Sequence, residues 1–151
     1  MIKIDSMWLR AAIELSKQCG PSSHAFSVGA ILVGADGKEI ARGYSRETAA
    51  NMHAEETALL KATQSGYLTH GATMYTSMEP CSVRLSGRTP CTRHLIDAGV
   101  ARVVYALAEP NTFVVCQGDR QLATAGISVQ HLAELGPLVE RINQHLLKDP
   151  H

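Results

Sequence analysis

Apolar residues near the start of the chain recur at helical spacing. Trp8, Ala12, Leu15 and Cys19 follow one another at alternating steps of four and three, with Leu9, Ile13 and Ser16 alongside. This predicts a helix over 7–18, stopped by Gly20-Pro21. The period then shortens. Residues 26–33 (FSVGAILV) and 38–45 (KEIARGYS) are strand-like, and Gly34-Ala35-Asp36-Gly37 between them carries an Asp-Gly turn, which predicts an antiparallel pair. From His53 onward, Ala54, Thr57, Ala58, Leu59 and Ala62 suit a helix ending near Gly66, with Glu55 and Glu56 in a first turn that favours acidic side chains. Residues 72–77 (ATMYTS) read as a buried strand. After a polar loop with Gly87 and Pro90, Cys91 opens a helix that Gly99 closes. A β-branched strand over 100–106, a helix over 118–125, a strand over 127–131 and a helix over 138–147 complete the pattern. Strands alternate with helices after residue 50, which requires parallel crossovers. The expected fold is α/β: a central mixed five-stranded sheet covered on both faces, a three-layer α/β/α sandwich.

Composition narrows the class. A chain of 151 residues is expected to form one domain over 1–151 and to bury roughly two-thirds of its unfolded surface. With 45% hydrophobic and 19% charged residues it is neither disordered nor fibrous. Basic and acidic residues balance at 14 each, leaving no global field to draw in a polyanion, so a small-molecule substrate is expected and no nucleic acid. No apolar run approaches the ~20 residues of a membrane span, and Met1-Ile2-Lys3-Ile4-Asp5 lacks the apolar core of a signal peptide. A cytoplasmic protein without membrane contact is expected. Cys19, Cys81, Cys91 and Cys116 are too few and too unevenly spread for a disulfide framework, so metal binding or burial accounts for them better.

In open α/β sheets ligands sit at the carboxyl ends of strands, beside helix N-termini, and both His53-Ala54-Glu55 and the Pro80-Cys81 to Cys91 stretch fall there. One imidazole and two thiolates suit zinc, and a catalytic zinc keeps three protein ligands and leaves a fourth position to water. Glu55 is close enough to His53 to reach such a water without being a ligand. The alternative is a structural zinc in a non-catalytic binding module, which needs a fourth protein ligand, with Cys116 or His24 the nearest donors; a proton-transferring carboxylate at Glu55 has no purpose there. Arg84, Arg88 and Arg93 read either as a solvated basic face or as a phosphate site. Phe26 and Phe113 are the aromatic residues placed to stack on a flat ring, whereas Trp8 and Tyr44 suit core or interface. Cys19, Cys116, His24, His70, His94, His131, His145 and His151 carry no assigned role.

His53-x-Glu55 followed by Pro80-Cys81 and Cys91 resembles the His-x-Glu and Pro-Cys-x-x-Cys signature of the zinc nucleobase deaminases, the cytidine and deoxycytidylate deaminase superfamily. Nine residues separate the cysteines instead of two. That wider loop, with Glu79-Pro80-Cys81-Ser82 and Gly87-Arg88-Thr89-Pro90-Cys91, looks like the pyrimidine deaminase domain of riboflavin biosynthesis. Val28-Gly29-Ala30, Gly71-Ala72-Thr73-Met74-Tyr75, residues 98–104 and Glu109-Pro110-Asn111 share the resemblance. The chain departs from it at Ala25-Phe26-Ser27, where that family has Pro-Asn-Pro, and at Val83, where it has a histidine.

The resemblance implies a cytidine deaminase-like fold and hydrolytic deamination of a small amino-heterocycle. Zinc would be held by His53, Cys81 and Cys91, and Glu55 would carry the proton from water to the ring nitrogen and the leaving amine. Backbone amides near Ala54 and Cys81 would position water or substrate, with Ser82 in the same loop. Arg88 and Thr89 would meet a polar or phosphorylated part of the substrate. The expected substrate is a pyrimidine-type base, nucleoside or nucleotide, taken by a stand-alone deaminase without the reductase domain that often follows in that pathway. A guanine-, cytosine- or deoxycytidylate-type deaminase, or an enzyme of specialised metabolism, keeps the chemistry with another ring. A tRNA-editing enzyme is disfavoured by the missing basic surface. A homodimer or larger homo-oligomer is expected, with the sheet-covering helices as interfaces.

Overall fold

The computed structural model describes residues 2–20, 22–23, 25–84, 86–110 and 117–147. Its elements run α1 (Ile2–Leu15), a 3-10 turn (Ser16–Gln18), β1 (Gly29–Val33), β2 (Glu39–Tyr44), α2 (Ala54–Gln64), β3 (Thr73–Met78), α3 (Cys91–Ala98), β4 (Arg102–Leu107), α4 (Gly118–Thr124), β5 (Ser128–His131), a 3-10 turn (Ala133–Leu135), α5 (Gly136–Ile142) and α6 (Gln144–Leu147). The five strands form one sheet in the order β2-β1-β3-β4-β5. β1 is antiparallel to both β2 and β3, while β3, β4 and β5 run parallel. This is the expected mixed sheet, with the hairpin at its edge and the crossovers after it.

Alternation along the central strands divides the core into two layers. Ile31, Val33, Tyr75 and Val104 pack with Leu9, Ala12 and Ile13 of α1 and Val139 of α5. Their neighbours Ala30, Leu32, Met74 and Val103 face the other way, onto Ala54, Ala58 and Ala62 of α2, Leu95 of α3 and Leu122 of α4. Each large side chain buried this way contributes roughly 1.5–3 kcal/mol relative to exposure. The alanine face of α2 has a consequence for position. A Cβ on Gly43 of β2 would lie 2.7 Å from the Ala54 carbonyl oxygen and 2.8 Å from the Ala58 nitrogen, so helix backbone rests on strand backbone there.

Three boundaries differ from the pattern reading, each for a tertiary reason. Helix α1 begins at Ile2 and not near residue 7, because Asp5 in its first turn is anchored: the buried carboxylate accepts hydrogen bonds from Tyr75 Oη at 2.6 Å and Arg102 Nη2 at 2.7 Å. Strand β1 begins at Gly29 and not at Phe26, because side chains and not a neighbouring strand satisfy much of the backbone of 26–28. The C-terminal helix is broken at Asn143, whose side chain turns inward. Among the described residues no helix is long and apolar enough to cross a membrane.

Candidate metal centre and active site

The site forms where α2, the end of β3 and α3 converge. His53 precedes α2 in an extended conformation (φ −82°, ψ 161°), and its backbone N–H donates to Glu56 Oε1 at 2.7 Å, closing the first turn of the helix. Cys81 follows β3 through Glu79-Pro80. Glu79 holds that exit in place, its carboxylate accepting the backbone N–H of Asp119 at 2.9 Å and of Glu109 at 3.2 Å. A Cβ on Gly118 would stand 2.0 Å from the Pro80 carbonyl oxygen, so α4 meets the cysteine segment with nothing between the backbones. Cys91 is the first residue of α3. Its N–H donates to Cys81 Sγ at 3.2 Å, and the Thr92 N–H donates to the Cys81 carbonyl at 3.2 Å.

These contacts bring the three expected metal donors together. His53 Nδ1 lies 3.6 Å from Cys81 Sγ and 3.4 Å from Cys91 Sγ, and the three donor atoms all fall within 4.8 Å of one another. Zinc–sulfur and zinc–nitrogen bonds of about 2.3 and 2.05 Å at a tetrahedral angle place nitrogen and sulfur about 3.5 Å apart. The donor set therefore fits zinc in both chemistry and spacing. Both cysteines are buried and free. The hydrogen bond from Cys91, outweighing burial together with the His53 ring, holds the Cys81 thiol well below its ordinary range. The Cys91 thiol is pushed up by the same bond and by burial. Burial opposes charge on His53, but its hydrogen bond with Cys81 and the nearby Glu55 raise its pKa. The lowered pKa of the Cys81 thiol favours the thiolate that a metal ion requires.

Glu55 lines one cavity with His53 and Cys81. It is 4% exposed, and burial raises its pKa to about 7 against the opposing pull of the His53 charge. Glu109, at the C-terminal end of β4, is likewise raised to about 7 by burial and by the charges of Cys81 and Glu55. The cavity measures about 360 Å³, and Phe26, Ala54, Met52 and Val83 contribute to its walls beside His53, Glu55, Cys81 and Glu109.

The other expected contacts separate. Phe26 and Ala54 line the cavity. Ser82, Arg88 and Thr89 line a different depression, shared with Arg93 of α3 and Arg120 of α4. Ser82 Oγ accepts the Gln117 N–H at 2.9 Å. Arg88 is half-exposed and reaches back toward the cavity rim, with Nη2 3.7 Å from Met52 Sδ and 3.6 Å from Glu56 Oε2. Phe113, Cys116 and His24 lie outside the described residues. Arg84 is no part of a solvated face: it lines the cavity but is buried against Glu56 at 2.9 Å and donates to the carbonyls of Asn51 and Thr89. The pairing of Glu56 with Arg84 and of Glu79 with the backbone of Glu109 was not readable in sequence, since these partners lie 28 and 30 residues apart.

Residues 2–107 match the cytidine and deoxycytidylate deaminase zinc-binding region. The chain belongs to this family. It is 41% identical over 124 residues to the diaminohydroxyphosphoribosylamino-pyrimidine deaminase of Schizosaccharomyces pombe, a match covering 81% of this chain and 30% of that protein. Among solved structures, a diaminohydroxyphosphoribosylaminopyrimidine deaminase/5-amino-6-(5-phosphoribosylamino)uracil reductase from Thermotoga maritima superposes with a TM-score of 0.86 at 29% identity, over 96% of this chain and 40% of that one. The Aspergillus oryzae Rib2 deaminase in complex with DARIPP superposes with a TM-score of 0.83 at 28% identity, over 95% of this chain and 91% of that one. The chain spans about a third of the length of the curated relatives it matches. Among the described residues, His53, Cys81 and Cys91 form the group that could hold a metal ion.

Proposed function

We propose that the chain is a hydrolytic deaminase acting on the ring amine of a phosphoribosylated aminopyrimidine, the class of compound in its relatives' names. The observation that carries this reading is the shared cavity: a buried carboxyl at Glu55, its pKa raised by burial to about 7, opens onto the same 360 Å³ space as His53 and Cys81, and the third donor, Cys91 Sγ, lies 3.4 Å from His53 Nδ1. Zinc bound there supplies a Lewis acid that makes water nucleophilic near neutral pH. Glu55 would take a proton from water as the water oxygen bonds to the amine-bearing ring carbon and give it to the ring nitrogen, then carry the remaining hydroxyl proton to the departing amine. The C–N bond breaks, ammonia leaves and a ring carbonyl remains. A carboxyl that titrates near the working pH can both take and give that proton. Phe26 offers a flat wall for the ring, and the backbone amides of Ala54 and Cys81 orient the reacting groups.

A substrate seated on Glu55 and extending past Met52 would bring a phosphate toward the Arg88 guanidinium, which lies 3.7 Å from Met52 Sδ. The structural-zinc alternative needs a fourth protein ligand, and its candidates, Cys116 and His24, lie outside the described residues. We place the enzyme in the cytosol as a homo-oligomer, with exposed Ile4 and Met7 on α1 offering an apolar contact. Ammonia release from aminopyrimidines, aminopurines and their nucleosides and nucleotides, measured on zinc-loaded wild type and Glu55→Ala, tests the chemistry. Release that requires Glu55 is the expected result. Equal release by both proteins, or none from any compound, rejects the reading.

A further inference from the structure

The wall carrying Phe26 is built unlike the rest of the cavity. Residues 26–28 precede β1; the Val28 carbonyl still accepts the Ser45 N–H at 3.0 Å, but side chains take over much of the remaining backbone hydrogen bonding. Asn143 contributes most: its Oδ1 accepts the Ser27 N–H at 2.7 Å, and its Nδ2 donates to the Ser27 carbonyl at 3.2 Å and to the Val139 carbonyl at 3.1 Å. The side chain thus imitates a β-bridge to a single residue. Arg46 Nη1 donates to the Phe26 carbonyl at 3.2 Å, and Ser45 Oγ accepts the Val28 N–H at 2.9 Å. Asn143 is 0% exposed, a setting in which losing its bonds strands Ser27's buried polar groups.

We infer that Asn143 is a positioning residue for substrate binding, fixing Phe26 against the ring by clamping Ser27. The inference rests on the deaminase reading for what the cavity holds. The clamp also interrupts the C-terminal helix: the inward turn of Asn143 separates α5 from α6, and Leu138 and Ile142 pack on the same apolar cluster as Phe26. Asn143 lies beyond residues 2–107, so the zinc-binding family pattern does not contain it. The C-terminal helices therefore act as part of the substrate site, although no residue in them lines the cavity.

Steady-state kinetics on zinc-loaded Asn143→Ala, Phe26→Ala and the double variant test this. Asn143→Ala is expected to raise KM by about tenfold with kcat within about twofold, because it removes binding common to ground and transition states. The double variant should match Phe26→Ala alone, since the two act through one contact. Additive effects on KM, or a loss confined to kcat, overturn the proposal. Should Asn143→Ala not fold, amide exchange in the wild type decides: the Ser27 amide should exchange by the same opening as the Asn143 amide, and much faster exchange at Ser27 overturns the clamp. Exchange needs no substrate, so absence of turnover in the wild type defeats the deaminase reading and leaves the clamp to this measurement.

Discussion

Arg84 lies against Glu56 at 2.9 Å with both side chains more than nine-tenths buried. The pair joins the two segments that supply the metal donors, because Glu56 also accepts the His53 N–H and Arg84 also holds Asn51 and Thr89 by their carbonyls. Removing Arg84 takes from the buried Glu56 carboxylate its shortest ion pair and leaves the longer contacts to Arg88 at 3.6 Å and His94 at 3.5 Å. Arg84→Ala is expected to destabilise the protein by about 3–5 kcal/mol and to lower its retained zinc. Thermal unfolding together with metal analysis checks both; an unchanged unfolding temperature would show that the pair is dispensable.

Glu55→Gln keeps nearly the same shape and removes the proton acceptor. Turnover should fall by about 10²–10⁴-fold while zinc content and unfolding temperature stay at wild-type values. Substantial remaining activity would assign proton transfer to another group, with Glu109 the first to examine because it borders the same cavity.

Cys91→Ser takes one sulfur from the donor set and replaces a buried thiol that begins α3. The variant should lose its metal under dialysis against a mild chelator that leaves the wild type loaded. One equivalent of zinc remaining in the variant would remove Cys91 from the ligand set.

The Asp5 anchor predicts a pH dependence of stability. Burial works against its carboxylate, but hydrogen bonds from Arg102 and Tyr75 and the Arg102 charge outweigh it and hold the pKa below the ordinary 3.8. A folded-state value below the unfolded one adds stability that is fully present well above 3.8 and is lost as pH falls through the folded value. Asp5→Asn should therefore cost about 1.5–3 kcal/mol at neutral pH. The gap from wild type should narrow below the unfolded value. Denaturant unfolding at neutral and acidic pH measures it, and a gap constant across that range would contradict the assignment.

Much of this molecule was readable from local pattern. Asp36-Gly37 marked the hairpin, β-branched runs marked β3 and β4, and Cys91 and Gly99 bounded α3, because those signals act over a few residues. The donor set was readable because metal chemistry restricts residue type. What escaped were features whose causes lie far along the chain. Phe26–Val28 has the composition of a strand, yet its conformation is set by Asn143, 116 residues from Ser27. Arg84 reads as a surface cation until Glu56, 28 residues away, is placed beside it. Arg88 and Thr89 follow the motif in order, and both line a second depression, while Arg88 also reaches Met52 at the cavity rim.

The two sides of the cavity are attached to the fold in different ways. On the metal side, backbone meets backbone at Gly43 and Gly118, and no larger residue fits at either contact without displacing a neighbour. On the ring side, Phe26 is held by the side chains of Asn143 and Arg46, which replacement can shorten, lengthen or remove. Selection for a new substrate can therefore act on the second set while the reaction chemistry stays constant. A laboratory evolution experiment on this chain should collect its changes in specificity at 25–28, 46 and 143, and almost none at 43 or 118.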